Sequence, residues 1–277
     1  MRLRTDLPSP RPRPARAHRA RPAARLAGAA LALGLLTACS TGTEPQTGDA
    51  AQADAPQEPT MLESAPVEMV PAQGPECLSD GVAFASVAQG EGSADVAWAG
   101  AGTKGVLYAP QVDGDVCQWA DELVRLAGSG YLVATYDWGV SGETGFHAAL
   151  DVLHATGAEQ VAFVGASAGG TLAAGLADDL GAVAVVALSP PATYGDVDAR
   201  AEANQFTGPL QVFSSTDDPQ VPAADSALVA RGDKTSIVTD VSGTAHGIEF
   251  MAADGYHADH VRTTIDEALT QGFAPAG

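Results

Sequence analysis

Val161-Ala162-Phe163-Val164-Gly165-Ala166-Ser167-Ala168-Gly169 begins as an unbroken apolar run and ends as a string of small residues around one serine. A run of four apolar residues is too short for a helix and fits a parallel strand covered on both faces, where no alternation is needed. From Ala168 to about Leu180 the chain is rich in Ala and Leu, the composition of a helix. A strand passing directly into a helix needs a sharp turn, which leaves no room for a side chain two positions either side of its apex. Gly165 and Gly169 occupy both places. Ser167 at the apex is thereby carried to the carboxyl edge of a sheet and to a helix N-terminus, whose dipole favours developing negative charge. Taken alone, a serine in a Gly-rich turn reads first as a helix N-cap, so the rest of the chain has to decide.

Outward from this turn, strands and helices alternate. Upstream, 82–87 and 95–99, joined through Gly90-Glu91-Gly92-Ser93, predict an antiparallel hairpin, and 106–109 a buried strand. Trp119, Leu123 and Leu126 are spaced for a helix that Gly128 and Gly130 end, followed by a strand at 131–136 and a helix at 146–154. Downstream, strands at 183–188, 210–213 and 236–239 alternate with helices at 223–230 and from about 258 to 270. This pattern predicts an α/β domain with a doubly wound, mostly parallel sheet and an N-terminal antiparallel hairpin. Between the strands ending at Leu188 and starting at Leu210, Pro190-Pro191 and one short helix nearly fill the available chain, so no sizeable lid is expected.

A serine hydroxyl is a poor nucleophile until an imidazole accepts its proton and an acid holds that imidazole in place. Two loops downstream, each after a strand, carry such groups: Ser214-Ser215-Thr216-Asp217-Asp218-Pro219-Gln220-Val221-Pro222 and Ser242-Gly243-Thr244-Ala245-His246-Gly247. The order of serine, acid and histidine, each in this context, resembles the α/β-hydrolase superfamily, in particular its lidless, dienelactone-hydrolase-like esterases, over roughly residues 80–272. The acid loop of that superfamily commonly reads G-x-x-D-x-x-V-P. Aligned on Val221-Pro222, the acid is Asp218; Ser215 stands where Gly is usual, which leaves Asp217 as an alternative.

The resemblance implies a carboxylesterase-like serine hydrolase with Ser167, His246 and Asp218 as its triad and a small-molecule, lipid or polymer ester as substrate, with no cofactor. It also implies an oxyanion hole built from the backbone N–H groups of Ala168 and Gln111. Gln111 lies in Ala109-Pro110-Gln111-Val112, where relatives often have His-Gly-x, and Pro110 has no N–H to offer. Asp137, in the loop after the fourth strand, reads as a turn-stabilising residue. An acyltransferase or peptidase on the same scaffold and a non-catalytic, lipid-anchored binding domain are the competing readings. No metal site is read: His257 and His260 find no third ligand, and Asp113-Gly114-Asp115 does not continue into the terminal Glu of a calcium loop.

The N-terminus reads as an address. Eight of the 14 basic residues precede residue 30, and an eleven-residue apolar run, 26–36, ends at Thr37-Ala38-Cys39. That is an export signal over 1–38, too short to span a membrane, which takes about 20 apolar residues. Leu36-Thr37-Ala38-Cys39 resembles the lipobox of bacterial lipoproteins, which implies export, acylation of Cys39 (palmitate or a similar chain) and anchoring to the outer face of the cell membrane; an ordinary signal peptide is the alternative. Residues 39–75, rich in Thr, Gly, Gln, Pro and acids, read as a flexible acidic tether before a folded domain at 76–277. Cys77 and Cys117 remain, and in an oxidising compartment an even remainder predicts a disulfide, with two buried thiols as the alternative. The 6 basic and 33 acidic residues left beyond the signal exclude a nucleic-acid partner, since there is no basic surface to meet phosphates. Nothing in the sequence speaks to oligomeric state.

Overall fold

The computed structural model describes residues 66–139, 141–252 and 257–275. The stretch read as an export signal, Cys39 and the stretch read as a tether up to residue 65 lie outside them. Among the described residues, no helix is long and apolar enough to cross a membrane.

Among the described residues, nine strands form one sheet. β1 (Met69–Pro71), β2 (Ala83–Gln89) and β3 (Gly92–Ala99) are antiparallel, with Gly90 at φ +57° turning the β2–β3 hairpin. β4 (Lys104–Ala109) leads through a 3₁₀ turn, Val116–Trp119, and helix α1 (Ala120–Gly128) to β5 (Leu132–Tyr136). Helix α2 (Gly142–Ala155) precedes β6 (Gln160–Ala166), α3 (Ala168–Gly175) and β7 (Val185–Leu188). Then come α4 (Ala199–Glu202), β8 (Leu210–Ser215), α5 (Ala223–Ser226), β9 (Ser236–Val241) and α6 (Ala258–Gly272). The spatial order is β1-β2-β3-β5-β4-β6-β7-β8-β9, with β4 through β9 parallel and β3 antiparallel to β5.

The apolar residues divide between the two faces as strand alternation requires. On one face Val106, Tyr108, Ala162 and Val164 pack with Leu123 and Leu126 of α1 and Ile265 and Leu269 of α6; on the other, Leu107 and Phe163 pack with Phe146 and Leu153 of α2 and Leu172 of α3. Each of the Val, Leu, Ile and Phe side chains among them, once fully buried, contributes roughly 1.5–3 kcal/mol. The sheet is therefore doubly wound as predicted, and it has a topological switch. From β4 the chain runs to β5 on one side and then returns to β6 on the other, opening a crevice at the carboxyl ends of β4 and β6, where open α/β sheets place their ligands.

Two details depart from expectation and a third agrees with it. The sheet begins inside the stretch read as tether, because Met69–Pro71 pairs with residues 85–87 of β2; a three-residue edge strand carries no periodicity to recognise. The helix after Ser167 ends at Gly175 instead of near Leu180, at a residue with little helix preference of its own that packs closely on Val197, and the chain leaves through a bend at 176 and turns over 177–181. Residues 189–209, read as too few for a lid, hold the four-residue α4 and no larger insertion.

Candidate active site

Ser167 occupies a conformation that side chains rarely adopt, φ +51° and ψ −123°, between β6 and α3. Its two flanking glycines have measurable reasons. A Cβ on Gly165 would lie 2.2 Å from the carbonyl oxygen of Gly169, and one on Gly169 would lie 2.3 Å from that of Pro110. The turn thus closes on itself and packs directly against the loop after β4. The Ser167 N–H donates to the Leu188 carbonyl at the end of β7, 2.7 Å away, which fixes the apex to the sheet.

The other two predicted residues converge on it. His246 Nε2 lies 2.9 Å from Ser167 Oγ, and His246 Nδ1 lies 2.8 Å from Asp218 Oδ2. The His246 residue is 4% exposed and the Asp218 side chain 0%. Burial by itself pushes the Asp218 carboxyl up. Against it, the N–H groups of Val221 and Gln220, both donating to Oδ1, and the imidazole on Oδ2 outweigh that cost and hold the carboxyl below its ordinary value. The nearby Ser189 hydroxyl adds a smaller share, acting at a distance, since it reaches no hydrogen-bond geometry of its own. Asp217, the alternative acid, is exposed; its N–H bonds the Gly243 carbonyl and its carboxylate accepts from Thr216 Oγ1. Ser215, the departure from Gly, is fully buried and donates its hydroxyl to the Ala245 carbonyl at 2.7 Å, tying the acid loop to the residue before His246. Glu249, which no sequence pattern marked, accepts the His246 N–H at 3.0 Å and fixes that loop from its other side.

The predicted oxyanion donors fare differently. The Ala168 N–H opens α3 and, like the first N–H of any helix, has no partner within the helix. The Gln111 N–H does not stand free toward the site: it donates to Gln118 Oε1, 2.9 Å away. Gln111 reaches the site through its side chain instead, whose Oε1 faces the Ile248 N–H at 3.4 Å, one residue past Gly247. Gln118 gave no signal in the sequence, because its partner is made by a turn that only the fold brings about. Cys77 and Cys117 are joined in a disulfide with 5.6 Å between Cα atoms, beside Gln118. Asp137 accepts the Val116 N–H at 2.7 Å and so holds the same 3₁₀ turn, the structural role read for it. Asp113-Gly114-Asp115 is a turn closed by the Gly114 N–H on the Gln111 carbonyl at 2.9 Å. Among the described residues no group of three or more His, Cys, Asp or Glu is placed to hold a metal ion. The rings of His257 and His260 meet those of Phe250 and Phe213.

Neither a sequence family nor a curated protein matches this chain. Solved structures do. Esterase 2 of Thermogutta terrifontis, phosphonylated by cyclosarin, is similar with a TM-score of 0.54 at 16% identity, over 69% of this chain and 94% of that one. A dienelactone hydrolase-like promiscuous phosphotriesterase from metagenomic libraries gives 0.55 at 18%, over 70% and 98%, and a monoacylglycerol lipase of Paleococcus ferrophilus 0.54 at 14%, over 64% and 99%. At such identities what is shared is the architecture, and that architecture is the α/β-hydrolase fold.

Proposed function

We propose that this protein is a serine hydrolase that cleaves carboxylic esters or similar acyl bonds. The observation that carries the reading is the unbroken chain from Ser167 Oγ to His246 Nε2 and from His246 Nδ1 to the buried carboxyl of Asp218, built on a strained turn at the switch point of the sheet. The esterase and lipase names of the fold neighbours agree with it.

Ser167 Oγ bonds to the acyl carbon as its proton passes to His246 Nε2, and the carbonyl electron pair moves onto oxygen. Asp218, accepting from Nδ1, keeps Nε2 free to receive that proton and steadies the imidazolium that forms. The imidazolium then protonates the leaving alkoxide, and water repeats the sequence on the acyl-enzyme. With no sizeable insertion over residues 189–209, the site suits an accessible ester on a small molecule, a lipid or a polymer. We assign the chain further to the outer face of the membrane, held by acylated Cys39; membrane recovery that persists in Cys39→Ala would remove that assignment.

The test is to treat the purified full chain with a fluorophosphonate and with short-chain nitrophenyl esters, alongside Ser167→Ala. Labelling and hydrolysis that vanish in the variant are expected. A folded wild-type chain that neither labels nor hydrolyses would leave an anchored binding domain as the better reading.

A further inference from the structure

We propose that the second donor of the oxyanion hole is the side-chain NH₂ of Gln111 and not its backbone N–H. The inference rests on the serine-hydrolase reading and deepens it. A tetrahedral adduct on Ser167 places a full negative charge on one oxygen, and a useful donor must lie 2.7–3.1 Å from it and be free to point there. The loop after β4 offers few candidates. Pro110 has no N–H, and its carbonyl is turned against Gly169. The Gln111 N–H is already donated at 2.9 Å to Gln118 Oε1, an acceptor held by its own turn, which Asp137, Asp115 and the Cys77–Cys117 disulfide all brace. Freeing that N–H would require the glutamine carbonyl to be displaced during every turnover.

The side chain has no such obstacle. Its Oε1 faces the Ile248 N–H, which orients the carboxamide and leaves the two N–H bonds of Nε2 for another acceptor. The carboxamide also reaches the neighbourhood of Ser167. The position a Cβ would take on Gly247 is 2.8 Å from Gln111 Oε1 and 3.5 Å from both the Cβ and the N of Ser167, so the carboxamide and the nucleophile converge on one point beside His246. Gly247 sits at φ +52° and has no side chain to separate them. In the attack step the Ser167 Oγ–carbon bond forms, the C=O π pair becomes the oxyanion, and the proton goes to His246. Ala168 N–H and Gln111 Nε2 then receive the oxygen without any other change in charge or bonding.

The experiment uses the full chain and compares wild type, Gln111→Ala, Gln111→Glu and Gln118→Ala in nitrophenyl-ester hydrolysis. Gln111→Ala, which keeps the backbone N–H, is expected to lower kcat about 10²–10³-fold with KM within a few-fold, the cost of one oxyanion donor; Gln111→Glu, which sets a carboxylate against the oxyanion, should lose more. Gln118→Ala should bring no gain in rate. A Gln111→Ala variant within threefold of wild type, or a Gln118→Ala variant faster than it, would overturn the proposal in favour of the backbone N–H. The structure of the phosphonylated wild type gives a reading independent of loop stability. The phosphonyl oxygen against Gln111 Nε2 supports the proposal, and the oxygen against Gln111 N with Gln118 swung away overturns it. A wild-type chain that is folded but inert removes the serine-hydrolase reading along with it, an outcome distinct from active wild type with an indifferent Gln111.

Discussion

The turn after β6 and the loop after β4 leave neighbouring strands side by side, yet they are held by opposite means. The β6 turn is held by sterics: Ser167 is forced to positive φ between two glycines whose missing side chains are filled by backbone. The β4 loop, with Asp113 at φ +60° near its tip, is held by side chains that come from elsewhere. Gln118 takes the Gln111 N–H, Asp137 takes the Val116 N–H, and just below them Tyr108 at the end of β4 donates to Glu122 at 3.1 Å. Sterics give one geometry and fail abruptly when a Cβ is added. Hydrogen bonds from side chains, worth about 1 kcal/mol each, can be removed one at a time, so the loop's geometry can be loosened in steps.

The contrast can be broken from either side. The largest effect is expected from Asp218→Asn, which keeps the shape of the site but favours the wrong imidazole tautomer: kcat for a nitrophenyl ester should fall about 10⁴-fold. Because the Asp218 carboxyl sits below its ordinary value in the folded chain, the stability its charge contributes is fully present above about pH 4 and fades only as the pH drops through the lowered value. The difference in unfolding free energy between wild type and Asp218→Asn should therefore shrink as the pH falls below about 4, and a difference that stays constant there would contradict an ionised Asp218.

Gly169→Ala strikes the point where the two regions touch. With a Cβ 2.3 Å from a backbone oxygen, it should cost about 3 kcal/mol of stability in denaturant unfolding, and the displaced serine should lose about 10²-fold in kcat. Glu122→Gln separates stability from chemistry. Glu122 is 3% exposed and accepts from Tyr108, Arg125 and Arg262, binding β4, α1 and α6 together, so about 3 kcal/mol of stability should be lost. Activity should fall far less than in Gly169→Ala, and an equal fall would mean that the β4 loop is as unforgiving as the β6 turn. Ser215→Ala, losing one buried hydrogen bond to the Ala245 carbonyl, should cost about 1 kcal/mol and a few-fold in kcat. Asp217→Asn should leave kcat within about threefold, and a loss comparable to Asp218→Asn would reverse their roles.

Much of this was legible beforehand for local reasons. The β6 turn could be read because its constraint falls within five consecutive residues, and a strained turn tolerates only glycine where space is missing. The strand and helix sequence could be read because each buried strand repeats its apolar run and each helix its spacing. Asp218 and His246 could be placed because each follows a strand. What escaped were the pairs made across the fold: Gln118 with Gln111, Ser215 with Ala245, Glu122 with two arginines and Tyr108. A polar side chain in a loop or on a helix face carries no mark of its partner, since the partner is chosen by distances that arise only once the sheet is assembled.

The amino-acid sequence by itself determined the doubly wound sheet, the tight turn at Ser167 and two of the residues that meet there, Ser167 and His246, because those follow from side-chain volume, apolar period and the position of glycine. Only the tertiary structure decided between Asp217 and Asp218, gave Ser215 a purpose and took the Gln111 N–H away from the site. Each of these depends on which of several equivalent polar groups comes within 3 Å of another, and that is settled by packing between elements distant in the chain.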